Sequence, residues 1–335
     1  MSIPITLIVL TYSSNTRLTI AQALYYTQYN NIRLIIVDGG VTDYTNLFSR
    51  FKSENLEYFY FENLSIAKRL AFSLKLVDDF DVVALLNDDE FYLVPSLYQA
   101  AHLLKSKDVS FVTGIPYTFS KNSDSFKFYE WQPPFNHHRD ININSSDPIS
   151  RLRDLGNGYL AFYFYSLMYG SSLKALNQLR IQDKFEGPVF DCAHELHVCA
   201  IGALMGKMLS LSSLFLFRNL DPQKDQVEWH DFFYMGSYWK ESLGFFKGSL
   251  LEASKHCQST HLKQDLMNFY LQMSENSRKL DLDKGYYLKF FRNVPVYSII
   301  NNKITPEFPA LTYSLQKDML SINNTLNSYP SDKCC

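Results

Sequence analysis

Short, continuous apolar runs alternate with amphipathic segments over roughly the first 115 residues of the chain. The segment from Leu64 to Val77 illustrates the second kind, because its apolar residues recur at helical spacing. This alternation predicts an α/β protein with a mixed, mostly parallel sheet flanked by helices. The predicted strands are Ile5 to Leu10, Ile32 to Val37, Glu57 to Phe61, Asp81 to Leu86 and Val109 to Thr113.

The pattern is less regular after the fifth predicted strand. Gly114 to Asp147 has little periodicity and many aromatic residues, which predicts a long loop beside a site. Tyr159 to Tyr169 predicts a core strand, and Pro188 opens a helix that reaches about Gly202. The polar and apolar alternation after Gly206 predicts one more strand.

The character of the chain changes near residue 220, where two long helical segments begin to dominate. Tyr238 to His256 and His261 to Ser277 have helical patterns, and Tyr286 to Ile300 favours strand. We therefore predict a first domain over residues 1–219 and a mainly helical C-terminal extension over residues 220–335.

Composition and charge narrow the classes of partner. Of the 335 residues 46% are hydrophobic, and 32 Lys and Arg nearly balance 34 Asp and Glu, so a nucleic-acid partner is not expected. Five cysteines without a CxxC pair, and a start without a signal-peptide pattern, predict a cytoplasmic protein. Gly206 and Lys207 interrupt the apolar stretch Val198 to Phe217, so we predict no transmembrane segment and leave open peripheral contact with the inner face of a membrane.

Three consecutive acids, Asp88, Asp89 and Glu90, follow the fourth predicted strand. Side chains at i and i+2 of an extended chain share one side, and paired carboxylates there suit a divalent cation that bridges a diphosphate. Hard oxygen ligands favour Mg²⁺ or Mn²⁺ over zinc. The alternative is a solvated acidic turn. Ligands of parallel sheets bind at the carboxyl ends of the strands, where Thr11 and Asp38 are also predicted to lie.

The ordered set of these strand ends resembles the GT-A glycosyltransferases, especially the family-2-like enzymes of the nucleotide-diphospho-sugar transferase superfamily. The matching stretches are Ile5 to Tyr12, Val37 to Gly40, and Leu86 to Glu90, the last in place of a DxD motif. Gly40 replaces a common Ser, and Asn87 stands where an acid is frequent.

The resemblance implies a GT-A (Rossmann-like) fold and a role for each matching residue. Thr11 and Tyr12 would line the base pocket, and Asp38 would bind the base or ribose. Asp88, Asp89 and Glu90 would hold the Mn²⁺ or Mg²⁺ ion and the diphosphate, with Asp89 as the principal ligand. His230 would donate to the leaving diphosphate or complete the metal shell, as a late His does in some GT-A enzymes; the alternative is an ordinary His.

Residue chemistry adds further candidates. Asp191 and Glu195, i and i+4 on the predicted Pro188 helix, are candidate general bases, although both suit an ordinary polar helix face. Asp191 is preferred because a helix N-terminus stabilises an ionised acid. Arg17 and Arg69 are candidates to face phosphates, with a solvated helix face as the alternative for Arg69.

Aromatic residues and a histidine pair complete the set of residues with possible roles. Tyr129 and Trp131 are candidates to stack on an acceptor sugar, or else they fill a core beneath the loop. His194 and His197 have no second ligand pair, so zinc is not expected.

Together with these residues, the resemblance implies a metal-dependent, inverting glycosyltransferase that moves a sugar from a nucleotide-diphospho-sugar donor to a glycan or lipid-linked glycan acceptor. The C-terminal extension would complete the acceptor side. Surface polysaccharide synthesis is expected by analogy alone. One alternative is a sugar-nucleotide nucleotidyltransferase, although its glycine-rich, basic first loop is absent. The other is a non-catalytic module that binds a glycan or nucleotide on the same fold.

Overall fold

The computed structural model describes the chain in ten stretches. They are residues 3–12, 16–121, 126–130, 143–156, 163–181, 188–219, 239–273, 297–300, 303–305 and 313–328. Eleven strands lie within these stretches: β1 (Ile5–Thr11), β2 (Ile32–Asp38), β3 (Leu56–Tyr60), β4 (Val82–Asn87), β5 (Glu90–Tyr92), β6 (Phe111–Lys121), β7 (Phe126–Glu130), β8 (Leu167–Tyr169), β9 (Met208–Asn219), β10 (Tyr297–Ile300) and β11 (Lys303–Thr305).

The helices of the same stretches surround the strands. They are α1 (Thr16–Tyr26), α2 (Thr45–Phe48), α3 (Ile66–Ser73), α4 (Val94–Ser106), α5 (Pro148–Gly156), α6 (Gly170–Leu176), α7 (Gln178–Ile181), α8 (Pro188–Met205), α9 (Trp239–His256), α10 (residues 262–273) and α11 (Tyr313–Ser328). The predicted helices and strands of the first 113 residues are all present, with ends shifted by a few residues.

All of these strands belong to one mixed sheet, as predicted. Its main path runs β11-β10-β7-β6-β8-β4-β1-β2-β3, and β9 pairs with both β5 and β6. The pairs β1–β2, β1–β4 and β2–β3 are parallel, so the carboxyl ends of these four strands lie at one edge. Strand β8 pairs antiparallel with both β4 and β6, and β7 pairs antiparallel with β6.

The apolar runs of the sequence form the core of the sheet. Leu7, Ile8 and Val9 of β1 are fully buried, as are Ile35 and Ile36 of β2. Continuous burial along a strand requires cover on both faces of the sheet, which explains why these runs do not alternate with polar residues. Burying one such side chain contributes about 1.5–3 kcal/mol relative to leaving it in water.

Two local predictions are wrong, and one short strand was not anticipated. The predicted loop from residue 114 to 147 contains most of β6 and all of β7, an antiparallel pair with register Tyr117 to Glu130. The predicted strand Tyr159–Tyr169 is reduced to β8, because residues 163–166 form a turn and residues 157–162 lie outside the described stretches. Strand β5 was not predicted, because an acidic turn followed by an aromatic pair gave no alternation.

The described part of the C-terminal extension is mainly helical. Helix α9 packs against α8, α11 packs against α1, and β10 extends the sheet beside β7. The predicted boundary near residue 220 falls in a stretch outside the described residues and stays a prediction. No helix in the described stretches is both long and apolar enough to cross a bilayer.

Candidate active site

The ends of β1, β2 and β4 bring three predicted site residues to one edge of the sheet. Thr11 is the register partner of Asp38, and Leu10 is the partner of Asn87. The Thr11 hydroxyl donates a hydrogen bond of 2.8 Å to Oδ2 of Asp88. The convergence predicted from the strand order is therefore present, and Thr11 joins the end of β1 directly to the acidic turn.

The acidic turn between β4 and β5 is held by a single buried amide. Gln22, fully buried in α1, donates from Nε2 to the carbonyl oxygens of both Asn87 and Glu90, each at 2.7 Å. These carbonyls flank Asp88 and Asp89. The Gln22 side chain therefore fixes both ends of the turn that presents the two carboxylates.

Glu90 points to a different partner from Asp88. Its side chain is fully buried, and Oε1 lies 3.5 Å from Nε of Arg218 at the end of β9. Burial raises the pKa of Glu90 to about 8, against the opposing attraction of Arg218. The predicted shared direction of Asp88 and Glu90 is not observed, because Glu90 is already in β5, which pairs with β9. The metal prediction therefore rests on Asp88 and Asp89.

Asp88 and Asp89 form an adjacent pair of acids with a local excess of negative charge. Burial raises the pKa of the Asp89 carboxyl, the charge of Asp88 raises it further, and Arg218 opposes both. Within the described stretches, no three His, Cys, Asp or Glu side chains are grouped closely enough to hold a metal ion. Mg²⁺ is commonly bound by one or two carboxylates with substrate phosphates completing its shell. The pair fits that arrangement.

Arg69 is fully buried in α3 and reaches back to the end of β1. Its guanidinium donates from Nη1 to the carbonyl oxygen of Thr11 and lies 3.8 Å above the ring of Tyr12. Its Nε and Nη2 have no hydrogen-bond partner among the described residues. Burial lowers the pKa of Arg69, while Tyr12, Asp38 and Asp88 oppose that shift. The alternative of a solvated helix face is therefore wrong for Arg69.

Gly39 makes room for the Arg69 side chain. A Cβ atom at residue 39 would lie 2.7 Å from Nε of Arg69 and 2.4 Å from the carbonyl oxygen of Leu64. Both distances are shorter than van der Waals contact, so any larger residue would displace the arginine or the backbone of Leu64. The glycine after the second-strand aspartate is thus required by packing.

Asp38 is buried and accepts hydrogen bonds at both carboxylate oxygens. The backbone N–H of Gly40 donates to Oδ1 at 2.7 Å, and the hydroxyl of Tyr58 donates to Oδ2 at 2.8 Å. Each oxygen of a carboxylate has two acceptor positions, so a further donor can still bind at each. Tyr58 was not anticipated from the sequence, because nothing in Leu56–Tyr60 distinguishes it from a core aromatic.

The opposite side of the acidic turn is formed by β9 and α8. Arg218 lies 3.4 Å from the hydroxyl of Tyr165 through Nη1, and that hydroxyl accepts from Nδ2 of Asn87 at 3.3 Å. Glu195 of α8 is half-buried, and its charge adds to the burial that raises the pKa of Glu90. Glu195 is therefore close enough to Glu90 for their charges to interact. Arg218 was missed by sequence reasoning; its only signal is a lone base ending an apolar strand.

The remaining predicted site residues are not placed by the structure. Asp191 belongs to α8, one helical turn before Glu195, but its side chain lies outside the described residues, as do the side chains of Arg17 and Tyr129. Trp131 and His230 lie wholly outside them.

His194 and His197 are buried, and the hydrogen bonds of their rings go to residues outside the acidic turn. Nε2 of His194 lies 2.9 Å from Oδ1 of Asn177, and Nδ1 of His197 lies 2.8 Å from Oγ of Ser249.

Comparison with solved structures shows which fold this is. The crystal structure of S. aureus TarS 1–349 in complex with UDP-GlcNAc superposes with a TM-score of 0.57 at 15% identity, over 86% of this chain and 76% of that one. TarS is a GT-A-like glycosyltransferase. The chain has the GT-A fold. The fold predicted from the three strand-end motifs is therefore confirmed.

Other comparisons add little. Two further TarS 1–349 structures, one of them in complex with UDP, give TM-scores of 0.49 and 0.46, each at 12% identity over 90% of this chain and 96% of that one. No protein-family model matches the chain, and no curated protein sequence matches it.

Proposed function

We propose that this protein is a glycosyltransferase that takes a sugar from a nucleotide-diphosphate donor and transfers it to a hydroxyl acceptor. The observation that carries the proposal is the convergence of Thr11, Asp38 and Asp88 at the carboxyl edge of the sheet. In open α/β sheets this edge is where nucleotides bind. The similarity of the fold to TarS, whose crystal structure holds UDP-GlcNAc, supports the same class of donor.

The residues at this edge suit the parts of such a donor. Tyr12 is partly exposed, at 45%, with one ring face near Arg69, so its other face is suited to stack on a base. Asp38 suits hydrogen-bond donors of the nucleoside. Arg69 carries a buried positive charge that interacts with the charges of Asp38 and Asp88, and a diphosphate bound here would need such charge compensation. These assignments give the base, ribose and phosphate of the donor separate partners.

Asp88 and Asp89 would hold a Mn²⁺ or Mg²⁺ ion, and the mutual repulsion of buried Asp89 and half-buried Asp88 supports that assignment. When bound, such an ion supplies positive charge that stabilises the departing diphosphate. Gln22 and Thr11 keep the two carboxylates in place before the donor arrives, so little reorganisation is needed during transfer.

The acceptor side is assigned to α8. Glu195, which lies near the acidic turn, or Asp191 one turn earlier would remove the proton from the attacking hydroxyl. A single base acting on the side opposite the leaving diphosphate gives inversion at the sugar carbon. The acceptor would be a glycan or a lipid-linked glycan, which suits a cytoplasmic enzyme working at the inner face of a membrane in surface polysaccharide synthesis.

The test is release of nucleotide diphosphate from a panel of UDP, GDP and dTDP sugars, each with Mn²⁺, Mg²⁺ or EDTA. We expect turnover of one donor with metal and none with EDTA. Asp89→Asn should lower kcat about 100-fold, because it weakens the charge stabilisation of the leaving group. The matched control is Asp108→Asn, since Asp108 is exposed and pairs with Lys207 away from the site. It should stay within twofold of wild type.

Two results would contradict the proposal. Binding of a nucleotide sugar without turnover of any donor, with or without glycan acceptors, would indicate a non-catalytic module. Formation of a nucleotide sugar and pyrophosphate from a nucleoside triphosphate and a sugar phosphate would indicate a nucleotidyltransferase.

A further inference from the structure

Tyr58 occupies a central position beside Asp38. It lies in β3, the strand that pairs with β2, and its hydroxyl donates to Oδ2 of Asp38 at 2.8 Å. The same hydroxyl accepts the backbone N–H of Tyr44 at 3.3 Å. One hydroxyl group therefore connects the end of β2 with the segment that precedes α2.

The ring of Tyr58 is held in place independently of its hydroxyl. It stacks on Phe48 of α2 with ring centroids 4.3 Å apart and an angle of 17° between the planes. Phe48 also stacks on Phe51, with centroids 5.8 Å apart. An aromatic side chain fixed by such packing loses little further entropy when its hydroxyl makes a hydrogen bond. The hydroxyl position is thus set before any ligand binds.

This arrangement restricts what Asp38 can bind. With Tyr58 on Oδ2 and the N–H of Gly40 on Oδ1, each oxygen has one acceptor position occupied and one left. Burial raises the pKa of Tyr58, and the hydrogen bond to Asp38 raises it further, so the phenol stays protonated and remains a donor. The carboxylate is therefore held in one orientation, with its remaining lone pairs available only to N–H or O–H groups.

We propose that Tyr58 is a positioning residue for the nucleoside half of the donor, acting through Asp38. It fixes the carboxylate so that the remaining acceptor positions receive an N–H of the base or an O–H of the ribose. This inference rests on the proposed function, since it assumes that a nucleotide occupies this edge of the sheet. It adds a residue from the neighbouring strand that the sequence motifs do not include.

The test is calorimetric titration of the protein with UDP in the presence of Mn²⁺. Tyr58→Phe keeps the ring and its stack on Phe48 but removes the hydroxyl, so we expect Kd to rise about fivefold to twentyfold, which is part of the value of one hydrogen bond to a charged group. In the turnover assay KM for the donor should rise by a similar factor, with kcat within twofold. The matched control is Tyr60→Phe. Tyr60 is the register partner of Asp38 on the same strand, and its variant should leave Kd unchanged.

A double variant shows whether Tyr58 acts through Asp38. Asp38→Asn should weaken UDP binding by itself, and adding Tyr58→Phe should weaken it by less than a further twofold. Titration with N3-methyl-UDP and with 2′-deoxy-UDP identifies the nucleotide group that donates a hydrogen bond to Asp38. The ligand that lacks that group should bind wild type and Tyr58→Phe with equal affinity.

Failure of the inference about Tyr58 can be distinguished from failure of the proposed function. If wild type binds UDP and Tyr58→Phe binds it equally well, or only the melting temperature falls, then the role of Tyr58 is structural and the inference is overturned. Independent, multiplicative effects of the two substitutions would also overturn it. If wild type binds no nucleotide of the panel, the proposed function fails and this inference fails with it.

Discussion

Replacing Gln22 by Met tests how the acidic turn is held. The substitution keeps the length and volume of the side chain but removes the amide that donates to the carbonyl oxygens of Asn87 and Glu90 at 2.7 Å. Leaving a buried acceptor unpaired costs about 1–3 kcal/mol, so the two carbonyl oxygens together cost about 2–6 kcal/mol. The substitution also removes Oε1 of Gln22, a buried acceptor without a partner, and this offsets about 1–2 kcal/mol of the cost. We expect a net loss of about 1–4 kcal/mol.

The assay measures the free energy of unfolding in urea, with an m-value equal to that of wild type as the check on two-state unfolding, and donor turnover by the same variant. Because the turn presents Asp88 and Asp89, its displacement should lower turnover by about tenfold or more. Gln28→Met is the control, since Gln28 donates to the carbonyl oxygen of Leu24 at 2.8 Å on the exposed surface. It should cost less than about 0.5 kcal/mol. A Gln22→Met protein with wild-type stability and wild-type turnover would refute the role assigned to this amide.

Three further predictions concern other parts of the protein. Gly39→Ala places a methyl group 2.4 Å from the Leu64 carbonyl oxygen, so we expect a loss of about 1–3 kcal/mol in urea unfolding and weaker UDP binding by calorimetry. Burial lowers the pKa of His197 to about 3, so the unfolded chain takes up this proton first as pH falls below about 6.5. His197 should therefore lower the free energy of unfolding by about 1.6 kcal/mol between pH 6.5 and 5, and buried His194, whose pKa is also lowered, should add to the drop. His197→Gln should make the profile less steep in urea unfolding at the two pH values. Arg218→Met should cost about 1–3 kcal/mol at pH 9, where Glu90 with its pKa of about 8 is ionised and loses its partner, and less at pH 6, where Glu90 is protonated. Adding Glu90→Gln should restore most of the loss at pH 9, whereas an equal loss in both variants would contradict the pairing.

The fold and the strand-end residues could be predicted because they depend on local sequence. The apolar run before Thr11 and the run before Asp38 fix two parallel strands, and parallel strands place their ends at one edge. The acidic turn follows the same rule. The β6–β7 hairpin was missed because Phe126–Glu130 is short and lies among aromatic residues that mask its alternation.

The partners of the site residues could not be predicted because they are distant in sequence. Gln22 reaches Asn87, Arg69 reaches Thr11, and Arg218 reaches across β9 to the acidic turn. A single sequence contains no signal that one glutamine of a helix is buried against two carbonyl oxygens. For the same reason Glu90 was grouped with Asp88, although strand pairing turns its carboxylate toward β9.

The central claim is that the carboxyl edge of β1, β2 and β4 binds a nucleotide diphosphate through Asp38 and the acidic turn. Calorimetric titration with UDP, in Mn²⁺ and in EDTA, tests it most directly on wild type and on Asp88→Asn. The account predicts saturable binding by wild type in Mn²⁺, weakened at least about tenfold by EDTA, with little remaining effect of EDTA on the Asp88→Asn variant. Equal binding by both proteins under both conditions, or no binding by either, would contradict it.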